Sequence, residues 1–583
     1  MILRGEHRSL SGRSNPDNDQ ITAMRWSDLF QELCPGFPVL HATFRPSVTH
    51  KHVINLHDRR RDATHVPRPL EPADRRRATP SVSGGIEDRA VARSKALPGV
   101  EKGSPDMTSV QVEQHDRTPE GGQGEGEGYH RALGARQIQM IAIGGAIGTG
   151  LFLGAGKAIS KAGPSLILAY AIAGLVIFFI MRALGELLMY RPVSGSFSDY
   201  AREFLGPFWG YVTGWTYWLF WVVTGITEVT AAAQYMAYWT HDSFPQWAYA
   251  LIFTVILYGA NLISVKLFGE LEFWFSMVKV TAIVGMILIC AGILTIGFSD
   301  AADTATVSNL WNDGGFFPKG IGGTLMTLQI VMFAFLAVEL VGVTAGESKD
   351  PEKTLPKAIN TVPWRIAVFY VGALIMILSV VPWTHFQPGV SPFVAAFERM
   401  GLGVGAAIVN FVVLTAALSS CNSGMYSTGR MLRDLALNGQ GPGFFTKLTK
   451  NGTPLIGTTF SAALMLVGVW INYVAPGKAF DYVVSFATIS GMWAWIMILV
   501  CQIRYRAKAD RGELPQSSFR APGAPWTSWF ALLFIGMVIV MMGIDKDARV
   551  SLYCAPLWGL VLGLSYLVLK SRNPRGAAFN KAA

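Results

Sequence analysis

Beyond residue 136 the chain becomes a succession of apolar runs, each closed by a short polar stretch. The runs fall at roughly 138–158, 165–190, 208–238, 246–265, 272–296 and 320–344, then at 365–383, 402–426, 454–474, 480–503, 525–544 and 550–569. About 20 apolar residues, at 1.5 Å of rise each, cross the hydrocarbon core of a bilayer. The pattern therefore predicts an all-α polytopic membrane protein with 12 transmembrane helices. An even number of spans puts both termini on one side. With that side cytoplasmic, the inner segments carry 22 Lys and Arg residues and the outer segments seven, the asymmetry that cytoplasmic loops have.

Residues 1–106 differ in kind. They are Arg-rich (Arg59 to Arg61, Arg75 to Arg77) and proline-punctuated, with no apolar run fit for a signal peptide. Such a stretch buries too little apolar surface to fold. Two readings stay open: a disordered extension, or an upstream start assignment, since Met107 opens a polar leader that runs into the first span. The expected organisation is 1–106 extension, 107–136 cytoplasmic leader, 137–571 twelve-helix domain and 572–583 cytoplasmic tail. Of the 583 residues 51% are hydrophobic and 15% charged, against about 25% charged in soluble proteins. The net charge of +10 is what basic inner loops produce and calls for no nucleic acid. Five scattered cysteines give neither metal-ligand spacing nor a disulfide framework.

Two spans have irregular interiors. The first holds Gly144, Gly145, Gly148, Gly150, Gly154 and Gly156, and the sixth opens Gly320-Ile-Gly-Gly-Thr and continues to Phe333-Ala-Phe-Leu-Ala-Val-Glu339. Interrupted helices in corresponding positions of two five-span halves are the pattern of an inverted-repeat transporter. Close helix packing through small residues is the alternative, and Gly144 to Gly148 and Gly150 to Gly154 both fit its spacing. The run lacks the Lys-Ser/Thr ending of a phosphate loop and the acidic residue of a dinucleotide site. Ionisable residues inside spans are costly, hence functional candidates. Lys279 lies seven residues beyond Glu272, roughly 10 Å inside its span, where it either snorkels to the cytoplasmic surface or serves transport. Glu228 lies past the midpoint of span three, placed to bond a substrate side chain, to trade a proton, or to pair with a neighbouring helix. Arg182 and Glu186, four apart, are expected to pair, and Asn410 and Asn422 either face the site or join helices, the commoner use.

The stretches Gln139-Met-Ile-Ala-Ile-Gly-Gly-Ala-Ile-Gly-Thr-Gly-Leu-Phe, Arg182-Ala-Leu-Gly-Glu-Leu, Ser194-Gly-Ser-Phe-Ser-Asp-Tyr-Ala, Ala345-Gly-Glu-Ser-Lys-Asp-Pro and Ala417-Leu-Ser-Ser-Cys-Asn-Ser-Gly-Met-Tyr-Ser-Thr-Gly-Arg resemble the amino acid transporter family of the amino acid, polyamine and organocation superfamily. The resemblance runs from about Glu127 to Leu569. It implies a 5+5 inverted-repeat (LeuT-like) core with two added C-terminal helices, and proton-coupled uptake of a small neutral amino acid through the plasma membrane. It further implies that Thr149 and Gly150 meet the substrate carboxylate while Gly148 permits close approach. The carbonyls of Ala146, Phe333 and Leu336 would meet the ammonium, with Phe333 also a gate. Lys279 would be the first choice for proton coupling and Glu228 the second, with Glu339 supporting the break. No cofactor or metal is implied, and the partners are the amino acid, the proton and the lipid bilayer. A channel, an ATP-driven pump and a membrane enzyme each need features the chain does not display; a transporter-like amino acid sensor would display the same site.

Overall fold

The computed structural model describes residues 147–572 apart from 194–195, 242, 264, 344–350 and 451. All of these belong to the unit Gly126–Ala583. Helix occupies every expected apolar window as far as it is described, interrupted in the sixth at residues 335–339. In chain order the main helices are α1 (Ala155–Ala162), α2 (Leu166–Tyr190), α3 (Ser196–Leu205), α4 (Pro207–Thr240), α5 (Gln246–Ile263), α6 (Val265–Ile296), α7 (Gly320–Ala334), α8 (Leu340–Val343) and α9 (Pro351–Asn360). There follow α10 (Val362–Ile366), α11 (Ala373–Val380), α12 (Pro392–Arg399), α13 (Gly403–Leu437), α14 (Leu455–Val474), α15 (Pro476–Asp510), α16 (Trp526–Ile544) and α17 (Arg549–Arg572). No strand occurs among the described residues. Among them, eight helices are long and apolar enough to cross a membrane, with two shorter apolar ones.

The helix boundaries follow local chemistry. Pro207, Pro392 and Pro476 stand in the first turn of α4, α12 and α15, where a missing N–H costs nothing and φ is preset. His241, with φ 45°, closes α4 in the left-handed region. Spans expected as separate, 138–158 and 165–190, are joined by continuous helix, with only a 3-10 turn at Gly163–Ser165 between α1 and α2. Gly163 has φ 64° there, so the chain bends without a loop.

The centre of the bundle is α4, nearly wholly buried along its length; α13 and α15 both pack along it. At the periphery the polarity is inverted. On α17 Tyr553, Leu557, Leu560 and Leu567 are exposed, and on α6 Trp274 and Leu288, while Glu228, Glu272, Lys279 and Glu339 lie inside. An apolar exterior with the few charged groups buried inside suits lipid rather than water.

Candidate functional site

Both irregular segments foreseen in the sequence depart from regular α-helix among the described residues. Ile147 and Gly148 are non-helical and the chain enters helix at Thr149, passing through a π-helical turn at Gly150–Gly154, a form that recurs at functional sites. The amides of a first helical turn are those without intrahelical acceptors. The other break lies between α7 and α8, where residues 335–339 turn and Ala337 takes φ 72°, a conformation that strains any residue with a Cβ. Here the Phe333 carbonyl accepts from the Leu336 amide at 3.1 Å, and the Ala334 carbonyl accepts from Tyr370 Oη at 3.1 Å. Among the described residues the Leu336 carbonyl accepts no backbone N–H outside the helices.

The two breaks face each other. A Cβ on Gly150 would stand 2.5 Å from Ala334 Cα, and one on Gly148 would stand 3.0 Å from Glu228 Oε1 and 3.6 Å from Ser420 Oγ. The glycines thus let two backbones and a carboxylate converge. Between them lies a cavity of about 10 Å³, lined by Gly148, Gly150, Thr224, Glu228, Phe333, Ala334, Leu336, Ala337 and Ser420. It has room for about one water. Thr149 Oγ1, Thr224 Oγ1 and Glu228 Oε2 are buried here without a hydrogen-bond partner among the described residues. Buried polar atoms are rarely left so.

The structure brings Gly148, Thr149, Gly150, Phe333, Leu336 and Glu228 together; Ala146 lies outside the described residues. Lys279 does not snorkel. It is wholly buried, and its Nζ donates to Ser419 Oγ at 3.0 Å. Ser419 Oγ in turn lies 2.9 Å from both carboxylate oxygens of Glu272. Glu272, used above only to measure depth, is itself fully buried. Its involvement was readable: seven residues on one helix is two turns, so Glu272 and Lys279 share a face. Ser419 and Ser420, quoted above only for resemblance, are adjacent residues of α13, one on the lysine and the other on the cavity.

Glu339 accepts from Tyr217 Oη at 3.2 Å and from Trp495 Nε1 at 3.0 Å, which ties the end of the break to α4 and α15. Asn410 Nδ2 donates to the Tyr235 carbonyl at 2.9 Å, and Asn422 Oδ1 accepts from Asn261 Nδ2 at 2.8 Å. Both join helices, the commoner of the two expected uses. The Arg182–Glu186 pair does not form as expected. Glu186 is held instead by Arg506 (2.6 and 2.7 Å), Gln502 and the Ala521 amide, while Arg182 bonds Asn360 and the Arg520 carbonyl and lies over Phe519. Spacing of four makes two residues neighbours, but a bidentate guanidinium from another helix offers the carboxylate a better-matched partner.

A second cavity, about 160 Å³, lies off the far end of the first break, between Leu153, Gly154, Lys157, Gln234, Ile330, Pro388 and Asp481. Lys157 Nζ crosses it to Asp481 at 2.8 Å and reaches Asp547 at 3.4 Å. One turn on, Lys161 binds Asp545 at 2.6 Å. Among the described residues no cluster of His, Cys, Asp or Glu is placed to hold a metal.

Residues 137–576 match the family model described as amino acid permease. The chain is 49% identical over 433 residues to an uncharacterized amino acid permease, YtnA, of Bacillus subtilis (strain 168), covering 74% of this chain and 93% of that protein. It is 45% identical over 448 residues to the L-asparagine permease of Escherichia coli (strain K12), covering 76% and 90%. It is also 46% identical over 438 residues to a protein of Bacillus subtilis (strain 168) described as a probable threonine/serine transporter, YbxG, covering 75% and 94%.

Proposed function

The chain belongs to the amino acid permease family, a family of transporters and not of enzymes, and on that premise we propose that it takes up a small neutral amino acid, L-asparagine first, by proton coupling across the plasma membrane. The carrying observation is that the helix start at Thr149 and the break after α7 meet around one small cavity with unpartnered polar atoms. A zwitterion brings two opposite charges into a dry site, and broken helices supply partners for both without mobile ions. The amides at Thr149 and Gly150, at the start of a helix, face the carboxylate. The carbonyls of Phe333, in the last turn of α7, and Leu336, in the break that follows, face the ammonium, with the Ala146 carbonyl as the third partner. Phe333 closes over the bound amino acid, and Glu228 receives its side chain.

In this reading the core is a twelve-span protein with a LeuT-like 5+5 repeat, two added helices and both termini cytoplasmic, and the inner cavity is contracted. At about 10 Å³ it is smaller than any amino acid, so admission requires the first and sixth spans to part, and the larger cavity beside Lys157 is the approach from outside. Lys279 carries the coupled proton.

Asparagine is favoured by Glu127-Gly-Tyr-His-Arg-Ala-Leu-Gly, Asn312-Asp-Gly-Gly-Phe-Phe-Pro and Phe519-Arg-Ala-Pro-Gly-Ala-Pro-Trp, which resemble L-asparagine permeases most. An identity of 46% to a relative described as a threonine/serine transporter, against 45% to the L-asparagine permease of Escherichia coli, supports serine or threonine as the second reading. GABA, proline, D-serine, D-alanine and glycine complete the panel, and a sensor that binds without transport is the remaining alternative. The test is labelled uptake into proteoliposomes with the full chain. We expect asparagine to outcompete lysine and glutamate, because among the described residues the cavity lining carries no charge besides Glu228 to receive a charged side chain. A clear win for a cationic or acidic amino acid would overturn this, and binding without uptake would favour the sensor.

A further inference from the structure

Three polar side chains form a line that the proposed coupling group alone does not account for. Lys279 Nζ, Ser419 Oγ and the Glu272 carboxylate are joined by contacts of 3.0 and 2.9 Å, and Lys279, Ser419 and Glu272 are all fully buried. An isolated buried charge costs several kcal/mol, and one hydroxyl, Ser419 Oγ, touches both the lysine and the carboxylate. A serine hydroxyl has one proton to give and lone pairs to accept another, so it can pass a proton without changing its own state.

The line has a direction. Glu272 precedes Lys279 by seven residues on α6, roughly 10 Å along the helix towards its first turn, the cytoplasmic end in the orientation proposed above. On the other side, Ser420, next to Ser419, lines the cavity with Glu228, whose charge Lys279 also feels. Cys421 and Tyr235 lie near Glu228. The neighbouring α5 and α11 contain no charged residue. The ordering is therefore Glu228 at the cavity, Lys279 in the middle and Glu272 inward.

We propose that Glu272 is the inner acceptor of the coupled proton, reached from Lys279 through the Ser419 hydroxyl. The Lys279 ammonium gives one proton to Ser419 Oγ while the Ser419 hydroxyl proton passes to a Glu272 oxygen. The ammonium becomes an amine, the carboxylate becomes a carboxylic acid, and the serine is unchanged. When the inner side opens, Glu272 gives the proton to cytoplasmic water, and Lys279 is recharged from the cavity side. This rests on reading Lys279 as the coupling group and assigns to Glu272 and Ser419 the release step.

The experiment uses the full chain in proteoliposomes, with whichever of labelled L-asparagine, L-serine and L-threonine the unsubstituted protein accumulates. Two quantities are measured for each variant: accumulation driven by an imposed pH gradient, and counterflow exchange at equal pH, which needs no net proton release. Glu272→Gln is expected to lose pH-driven accumulation by roughly tenfold or more, as removal of a proton-transfer group does, and to lose far less counterflow, with a flattened pH profile. Ser419→Ala should show the same selective loss, and Glu272→Asp should restore part of it. Should Glu272→Gln fail to reach the membrane, Ser419→Ala decides. If Lys279→Ala abolishes coupling while Glu272→Gln and Ser419→Ala keep the unsubstituted pH profile, the relay is wrong and the lysine reading stands. If Lys279→Ala itself accumulates substrate normally, the coupling reading fails. Equal loss of accumulation and counterflow in Glu272→Gln at normal membrane levels would make Glu272 a structural residue and overturn the relay.

Discussion

Gly150 and Ala334 approach so closely that a single methyl group decides whether the two broken spans can meet. A Cβ on Gly150 would lie 2.5 Å from Ala334 Cα and 2.8 Å from its nitrogen, backbone atoms that no rotamer change can move aside. Gly150→Ala is therefore expected to abolish uptake and to lower stability by about 1–3 kcal/mol, the usual cost of overpacking. Uptake and thermal unfolding in detergent check it, and normal transport would show that the spans have slack there. Ala337 is the opposite case. Its φ of 72° costs an L-residue about 1–2 kcal/mol, so Ala337→Gly should raise the melting temperature, while Ala337→Val should lower it. At this scale the sequence was informative about glycine and silent about alanine. Gly148 and Gly150 announce that something must come close, whereas nothing in Leu-Ala-Val says that Ala337 sits in the left-handed region, because tertiary packing imposes that conformation.

The break between α7 and α8 is a supported element rather than a loose one. Tyr370 Oη covers the Ala334 carbonyl, and Glu339 collects the Tyr217 hydroxyl and the Trp495 indole N–H. Glu339→Ala would strand two buried donors at about 1–3 kcal/mol each. Glu339→Gln keeps one carbonyl acceptor and should cost roughly half as much by the same reckoning. The two variants should rank in that order in melting temperature, with uptake following. A further tie holds the last turn of α1: Lys161 binds Asp545, a carboxylate in the turn between α16 and α17. Burial acts to raise the Asp545 carboxyl, but the hydrogen bond and charge of Lys161 outweigh it and hold the group below its ordinary value. The tie is therefore fully present above the ordinary aspartate range and is lost only as pH falls through the depressed value. Asp545→Asn should lower stability by up to about 1 kcal/mol at neutral pH and by nothing once the medium is more acidic than that value. Such partners were not legible beforehand. Periodicity and capping report on one helix at a time, which is why the expected Arg182–Glu186 pair gave way to Arg506 from α15.

Over the whole molecule, the apolar windows located helix correctly because hydropathy is a property of the segment, and lipid demands that every spanning segment satisfy its own backbone. What the windows left open was the interior, where the same rule concentrates the few buried charges on facing helices. The far amino-terminal stretch obeys different rules. The family match covers residues 137–576, and the relatives named above align to 74–76% of the chain, so the Arg-rich first 106 residues stand apart from what makes a permease. The leader that opens at Met107 already brings polar sequence up to the first span, and the basic residues that set orientation, from Arg131 and Arg136 onward, lie within it or beyond it. A chain that starts at Met107 is therefore expected to insert and to transport at the rate of the full chain. Membrane quantity and uptake measured side by side decide the matter: normal insertion with lost uptake would assign the first 106 residues a part in transport.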